Sequence, residues 1–113
     1  MIEIHDFKFV LANSFAVDAS IEDHRGHYEA EFITPAYQNG GPRTLIRADR
    51  QFSSATAAFD WIVHEVLRYA ASQSLEVAWI DNPCNDPFVK KADQVALLAA
   101  QNWNGFVLVN GQP

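Results

Sequence analysis

The sequence predicts an α+β fold: a mixed, mostly antiparallel sheet in the order β-β-β-β-α-β-α-β, with two helices packed on one face. Three observations carry this expectation. Apolar and polar residues alternate through residues 14–33, the period of a half-buried strand. The period lengthens to that of a helix at residues 53–73 and again at 85–102. The chain has 113 residues, 49% of them hydrophobic, with eight Phe, three Tyr and three Trp, which suffices for the core of one domain spanning 1–113.

The elements follow in order. "FKFVLAN" (7–13) is the first strand. "SFAVDASIED" (14–23) puts Phe15, Val17, Ala19 and Ile21 on one face and Ala16, Asp18, Ser20 and Glu22 on the other. "HYEAEFIT" (27–34) continues the pattern, with Tyr28, Ala30 and Phe32 opposed to His27, Glu29, Glu31 and Ile33. Between them "DHRG" is a polar turn in which Gly26 supplies the positive φ. "PAYQNGGPR" (35–43) is a loop centred on Asn39-Gly40-Gly41-Pro42, and "RTLIRADRQF" (43–52) is a fourth strand that completes an antiparallel meander.

The segment 53–73 is the stronger helix. Ser53 or Ser54 caps it, and Ala55, Phe59, Ile62, Val63, Val66 and Ala70 form its apolar stripe. "LEVAWI" (75–80) is a strand. In 85–102 Asp86 is the expected N-cap, Pro87 the first helical residue, and Phe88, Ala92, Val95 and Ala99 the stripe; Asn104-Gly105 ends the helix. "FVLVN" (106–110) is the last strand, and the last three elements read as a parallel β-α-β unit.

Charge and composition narrow the function. The net charge is −6, and only Lys90 and Lys91 are adjacent basic residues, which argues against a nucleic-acid partner. No apolar run reaches the roughly 20 residues of a membrane helix, so no membrane role is expected. One cysteine forms no internal disulfide, and the N-terminal residues lack the pattern of a secretory signal; a reducing cytoplasm is the expected location. The sequence contains no Gly-rich phosphate loop, nucleophile elbow or Cys/His zinc pattern.

Four groups of residues compete as functional sites. "IDNPCNDPF" (80–88) places Asp81, Asn82, Cys84 and Asp86 between a strand and a helix, where a ligand loop often lies, although Asn, Asp and Pro there are equally turn chemistry. "EDHRGHYEAE" (22–31) combines His24 and His27 with carboxylates, a metal-binding vocabulary. One histidine falls in the turn and the other on the returning strand, however, so convergence is not required and no metal is expected. Asp18, Glu22, Glu29 and Glu31 share the polar hairpin face. They form either an acidic docking surface or an ion-pair lattice with Arg43 and Arg47.

On the helical wheel Trp61 falls about 200° from Phe59, beside His64, Glu65 and Arg68, and Leu97 lies similarly opposite Phe88. Two outward apolar residues predict either an association surface, most simply a two-fold homodimer, or cover by another segment of the chain. The function expected from these readings is that of a small acidic, non-enzymatic interaction protein, of the inhibitor, immunity or mobile-element accessory kind. It meets a protein partner, itself, or both, and needs no cofactor. A small-ligand domain with an aromatic-lined pocket between sheet and helices is the alternative, and an enzyme using residues 81–86 ranks below it.

Overall fold

The computed structural model describes residues 2–35, 43–103 and 105–113. The elements are β1 (Glu3–Leu11), β2 (Ala16–Asp23), β3 (Tyr28–Ile33), β4 (Leu45–Arg47), α1 (Ala55–Ser72), β5 (Val77–Asn82), α2 (Lys91–Ala100) and β6 (Phe106–Val109). They build one six-stranded sheet in the order β4-β3-β2-β1-β5-β6. The first four strands form the expected meander, β5 adds antiparallel to β1, and β5 and β6 run parallel. The loop expected around Asn39-Gly40-Gly41-Pro42, and Asn104 at the expected end of α2, lie outside the described residues.

Alternation sorts the sheet into two faces. Phe7, Phe9, Val17, Ala19, Ile21, Ala30, Phe32, Ile80 and Val107 are buried on the face that carries the helices. α1 contributes Ala55, Ala58, Phe59, Ile62, Val63, Val66 and Ala70 to the same core, as its sequence stripe requires. Its N-terminus is held by Ser54, whose Oγ accepts a hydrogen bond from the Ala57 N–H at 3.1 Å. Phe15 precedes β2 and is exposed, so the core face of that strand begins at Val17.

Trp61 does not stand free on the helix. Its ring packs over Phe32 and Phe52, with centroids 5.8 and 6.3 Å away. A long helical side chain leans toward the N-terminus, and that brings the indole back over the segment preceding α1, a reach the radial wheel ignores. Leu97 is also half-buried against the core. His64 and Arg68 are exposed, and Arg68 pairs with the half-buried Glu65 at 2.9 Å.

α2 departs most from its sequence pattern. It starts at Lys91 with Lys90 as N-cap, not at Asp86-Pro87, and it buries Gln94 and Leu98. Of the expected stripe, Phe88 precedes the helix and is half-buried against the core, whereas Ala92, Val95 and Ala99 are exposed. The cause is a polar pair, because Asn82 on β5 and Gln94 are both 0% exposed and bond reciprocally. The Asn82 amide donates to Gln94 Oε1 (3.1 Å) and to the Leu108 carbonyl (3.1 Å). The Gln94 amide donates to Asn82 Oδ1 (3.3 Å) and to the Val89 carbonyl (2.9 Å). Buried polar groups need such partners, and this pair fixes which side of α2 faces the sheet.

The helix ends through Asn102, in the left-handed region at φ 61°, after which the Trp103 N–H returns to the Leu98 carbonyl at 3.1 Å. The hairpin turn behaves similarly. Arg25, not Gly26, takes the positive φ (64°), because Asp23 Oδ1 accepts the Arg25 N–H at 2.8 Å and shapes the turn.

Candidate functional site

Both helices occupy one face of the sheet, and among the described residues no helix lies on the other. Four register rows cross that open face. The first runs Ala16, Val10, Trp79, Phe106 over β2, β1, β5 and β6. The second runs Leu45, Ile33, Asp18, Lys8, Asp81, Leu108. The third is Arg47, Glu31, Ser20, Asp6, and the fourth Glu29, Glu22, Ile4. The face thus grades from an aromatic strip at one end to carboxylates at the other.

The aromatic end is the less ordinary one. Trp79 and Phe106 stack at 5.7 Å with their planes 6° apart, and Phe106 is 51% exposed. Val10 and Leu108 are only half-buried beside them. Parallel strands are normally covered on both faces, yet this parallel pair leaves the Phe106 ring exposed and the Trp79 ring only half-buried.

The polar end is an ion-pair lattice in which carboxylates outnumber cations. Arg47 lies 3.3 Å from Glu31, 3.8 Å from Glu29 and 4.0 Å from Glu22. The hydrogen bond that Arg47 donates to Glu31, followed by the Glu31 charge, raises the Arg47 pKa, so the guanidinium is a fixed cation. Arg43 pairs with Asp18 at 2.6 Å, and Lys8 approaches the same carboxylate at 4.0 Å. Asp18, Glu22, Glu29 and Glu31 therefore share one face, as the alternation requires, and Arg43 and Arg47 reach them.

At the hairpin tip the side chains do converge. His24 Nε2 lies 3.1 Å from Glu22 Oε1 and 2.9 Å from Glu29 Oε2, and His27 Nε2 lies 3.3 Å from that same Glu29 oxygen. The two imidazoles stack at 4.8 Å, 8° from parallel. Sequence spacing does not require a turn residue and a strand residue to meet, and here they meet for a definite reason. The His24 N–H bonds the His27 carbonyl at 2.9 Å, closing the turn tightly enough to set both rings on the open side.

The loop after β5 does not form one site. Asp81 lies on the open face while Asn82 is committed to the core, since successive strand residues point to opposite sides. Asn85 Oδ1 accepts from the Asn110 amide at 2.6 Å, Cys84 is a partly exposed free thiol, and Asp86 is exposed. A cleft of about 450 Å³ lies elsewhere, at the end of α1, lined by Leu67, Leu75, Val77 and Trp103 among others. The Trp103 indole N–H is already engaged, donating to the Val77 carbonyl at 2.6 Å.

Sequence reasoning missed Trp79 and Phe106 as neighbours. The alternation within "LEVAWI" and "FVLVN" assigns each residue a face, but only the β5–β6 register sets the two rings side by side. No family model, curated protein or solved structure matches the chain. No helix among the described residues is long and apolar enough to cross a membrane.

Proposed function

We propose that the chain is a non-enzymatic binding protein that docks a basic protein partner on the open face of its sheet. The observation that carries this reading is the stacked Trp79–Phe106 pair on the sheet face opposite the helices, with Phe106 51% exposed and Trp79 half-buried beside it. An aromatic anchor beside a charged margin has the anatomy of a protein interface. The surplus of carboxylates in the adjoining rows favours a partner whose facing surface is basic. A small ligand needs concavity, and the hollow on this face beside Asp6, Lys8, Asp18 and Pro83, about 190 Å³, is smaller than ligand pockets usually are. Trp61 adds little surface to an association, because Phe32 and Phe52 already cover its ring.

The experiment is an affinity measurement with the purified partner, once isolated on the immobilised chain, at several salt concentrations. Trp79→Ala is expected to weaken binding by about 2 kcal/mol or more, roughly thirtyfold, as a central aromatic anchor does. Glu31→Gln is expected to slow association, with an effect that shrinks as salt rises. Binding that both variants leave unchanged, and that Arg68→Ala abolishes, would move the site to the helical face.

A further inference from the structure

We propose that the tip of the β2–β3 hairpin binds a divalent first-row transition metal of the zinc type, with His24, His27 and Glu29 as ligands and Glu22 as the fourth. This inference rests on the tip alone and is independent of the docking reading.

The register sets Glu22 directly opposite Glu29 on the same face. Like charges so placed repel; Arg47, 4.0 Å from Glu22 and 3.8 Å from Glu29, offsets part of that repulsion, and a cation at the tip would offset more. The chain supplies two imidazoles there, and both direct Nε2 at one oxygen, Glu29 Oε2. The donor atoms of His24, His27 and Glu29 lie within 4.8 Å of one another. A tetrahedral ion with bonds of about 2.0–2.2 Å holds its donors about 3.3 Å apart, so small rotations about the existing side-chain torsions close the site. Glu22 Oε1 lies 3.1 Å from His24 Nε2, so a side-chain rotation would bring it to the ion as the fourth donor.

The surroundings support the donors. Arg47 engages the other oxygen of Glu29, Oε1, at 3.8 Å and leaves Oε2 turned toward the imidazoles, the arrangement by which outer partners orient a ligand carboxylate. The four side chains are 19–32% exposed, which leaves an entry path while removing part of the competing water. Two imidazole nitrogens with carboxylate oxygens suit Zn²⁺, Ni²⁺ or Cu²⁺. They do not suit Mg²⁺ or Ca²⁺, which take oxygen donors.

The test is calorimetric titration of the tag-free chain with Zn²⁺ alone, followed by Co²⁺, whose visible absorption reports tetrahedral coordination. The expected result is one ion per chain, with affinity at least tenfold weaker in His24→Ala, His27→Ala and Glu29→Gln, and unchanged in His64→Ala. Excess Mg²⁺ is expected to leave Zn²⁺ bound. His27→Gln, which retains a donor toward Glu29 and so protects the hairpin, is expected to show the same loss if an alanine variant unfolds. Equal Zn²⁺ affinity in the wild type and in a folded His24→Gln/His27→Gln chain would overturn the proposal.

Discussion

Gln94→Leu is expected to destabilise the fold by about 2–4 kcal/mol, although leucine is the more hydrophobic residue and the site is fully buried. The substitution removes the donor to Asn82 Oδ1 and to the Val89 carbonyl and the acceptor of one Asn82 amide proton. Orphaned groups in the core then carry their whole desolvation cost. Asn82→Leu is expected to cost a similar amount, because it also strips the Leu108 carbonyl of its donor. The double variant is expected to cost less than the sum of the two by about 1–2 kcal/mol, since each single change leaves the other's partner unpaired. Urea denaturation of the four chains measures the cycle. If Ala92, Val95 and Ala99 seated α2 instead, Gln94→Leu would be nearly neutral and Val95→Asp severely damaging.

His5→Phe is expected to stabilise the protein and to flatten its stability in acid. His5 is 4% exposed on the core face, with its ring 5.2 Å from Phe7 and 5.6 Å from Phe88. Neither ring nitrogen has a hydrogen-bond partner. Burial lowers its pKa below the ordinary value of 6.5, against a smaller opposing pull from the Asp6 charge. The unfolded chain therefore binds the proton more readily than the folded one. Stability is fully present above about pH 6.5 and is lost as the pH falls below that value toward and through the folded pKa. Phenylalanine removes both orphan nitrogens and the titration together, for an expected gain of about 1–2 kcal/mol at neutral pH and a larger gain at pH 5. Thermal melts of both chains between pH 5 and 8 compare the slopes. Parallel curves would mean that His5 has a partner or water at its nitrogens.

Much of this architecture is legible in the sequence because local periodicity and burial agree in it. The meander follows from Val17, Ala19 and Ile21 alternating with Asp18, Ser20 and Glu22, and α1 follows from a stripe that tertiary contacts reinforce. α2 is where the two part. Its alanines and Val95 imitate a core stripe, whereas its orientation is set by a buried amide pair, and no hydrophobic pattern encodes such a pair. The candidate site shows the same division. Alternation places the acidic residues on one face, but the convergence of His24 and His27 depends on a turn hydrogen bond, and the Trp79–Phe106 stack depends on the register of two strands separated by a helix. Trp61 misleads because a wheel represents a nine-atom ring system as a point on a circle.

The open face of the sheet, and not the helical face, is expected to meet the partner. The most direct measurement places a photoreactive benzoylphenylalanine singly at Ser20, Leu108, His64 or Ala99, in otherwise native chains expressed in their own host. Ser20 and Leu108 lie on the open face, and His64 and Ala99 are exposed on the two helices. The account predicts one dominant adduct with a basic protein from positions 20 and 108, and none from 64 and 99. Adducts formed from 64 and 99 while 20 and 108 remain silent, or adducts from 20 and 108 with a second copy of the chain only, would contradict it.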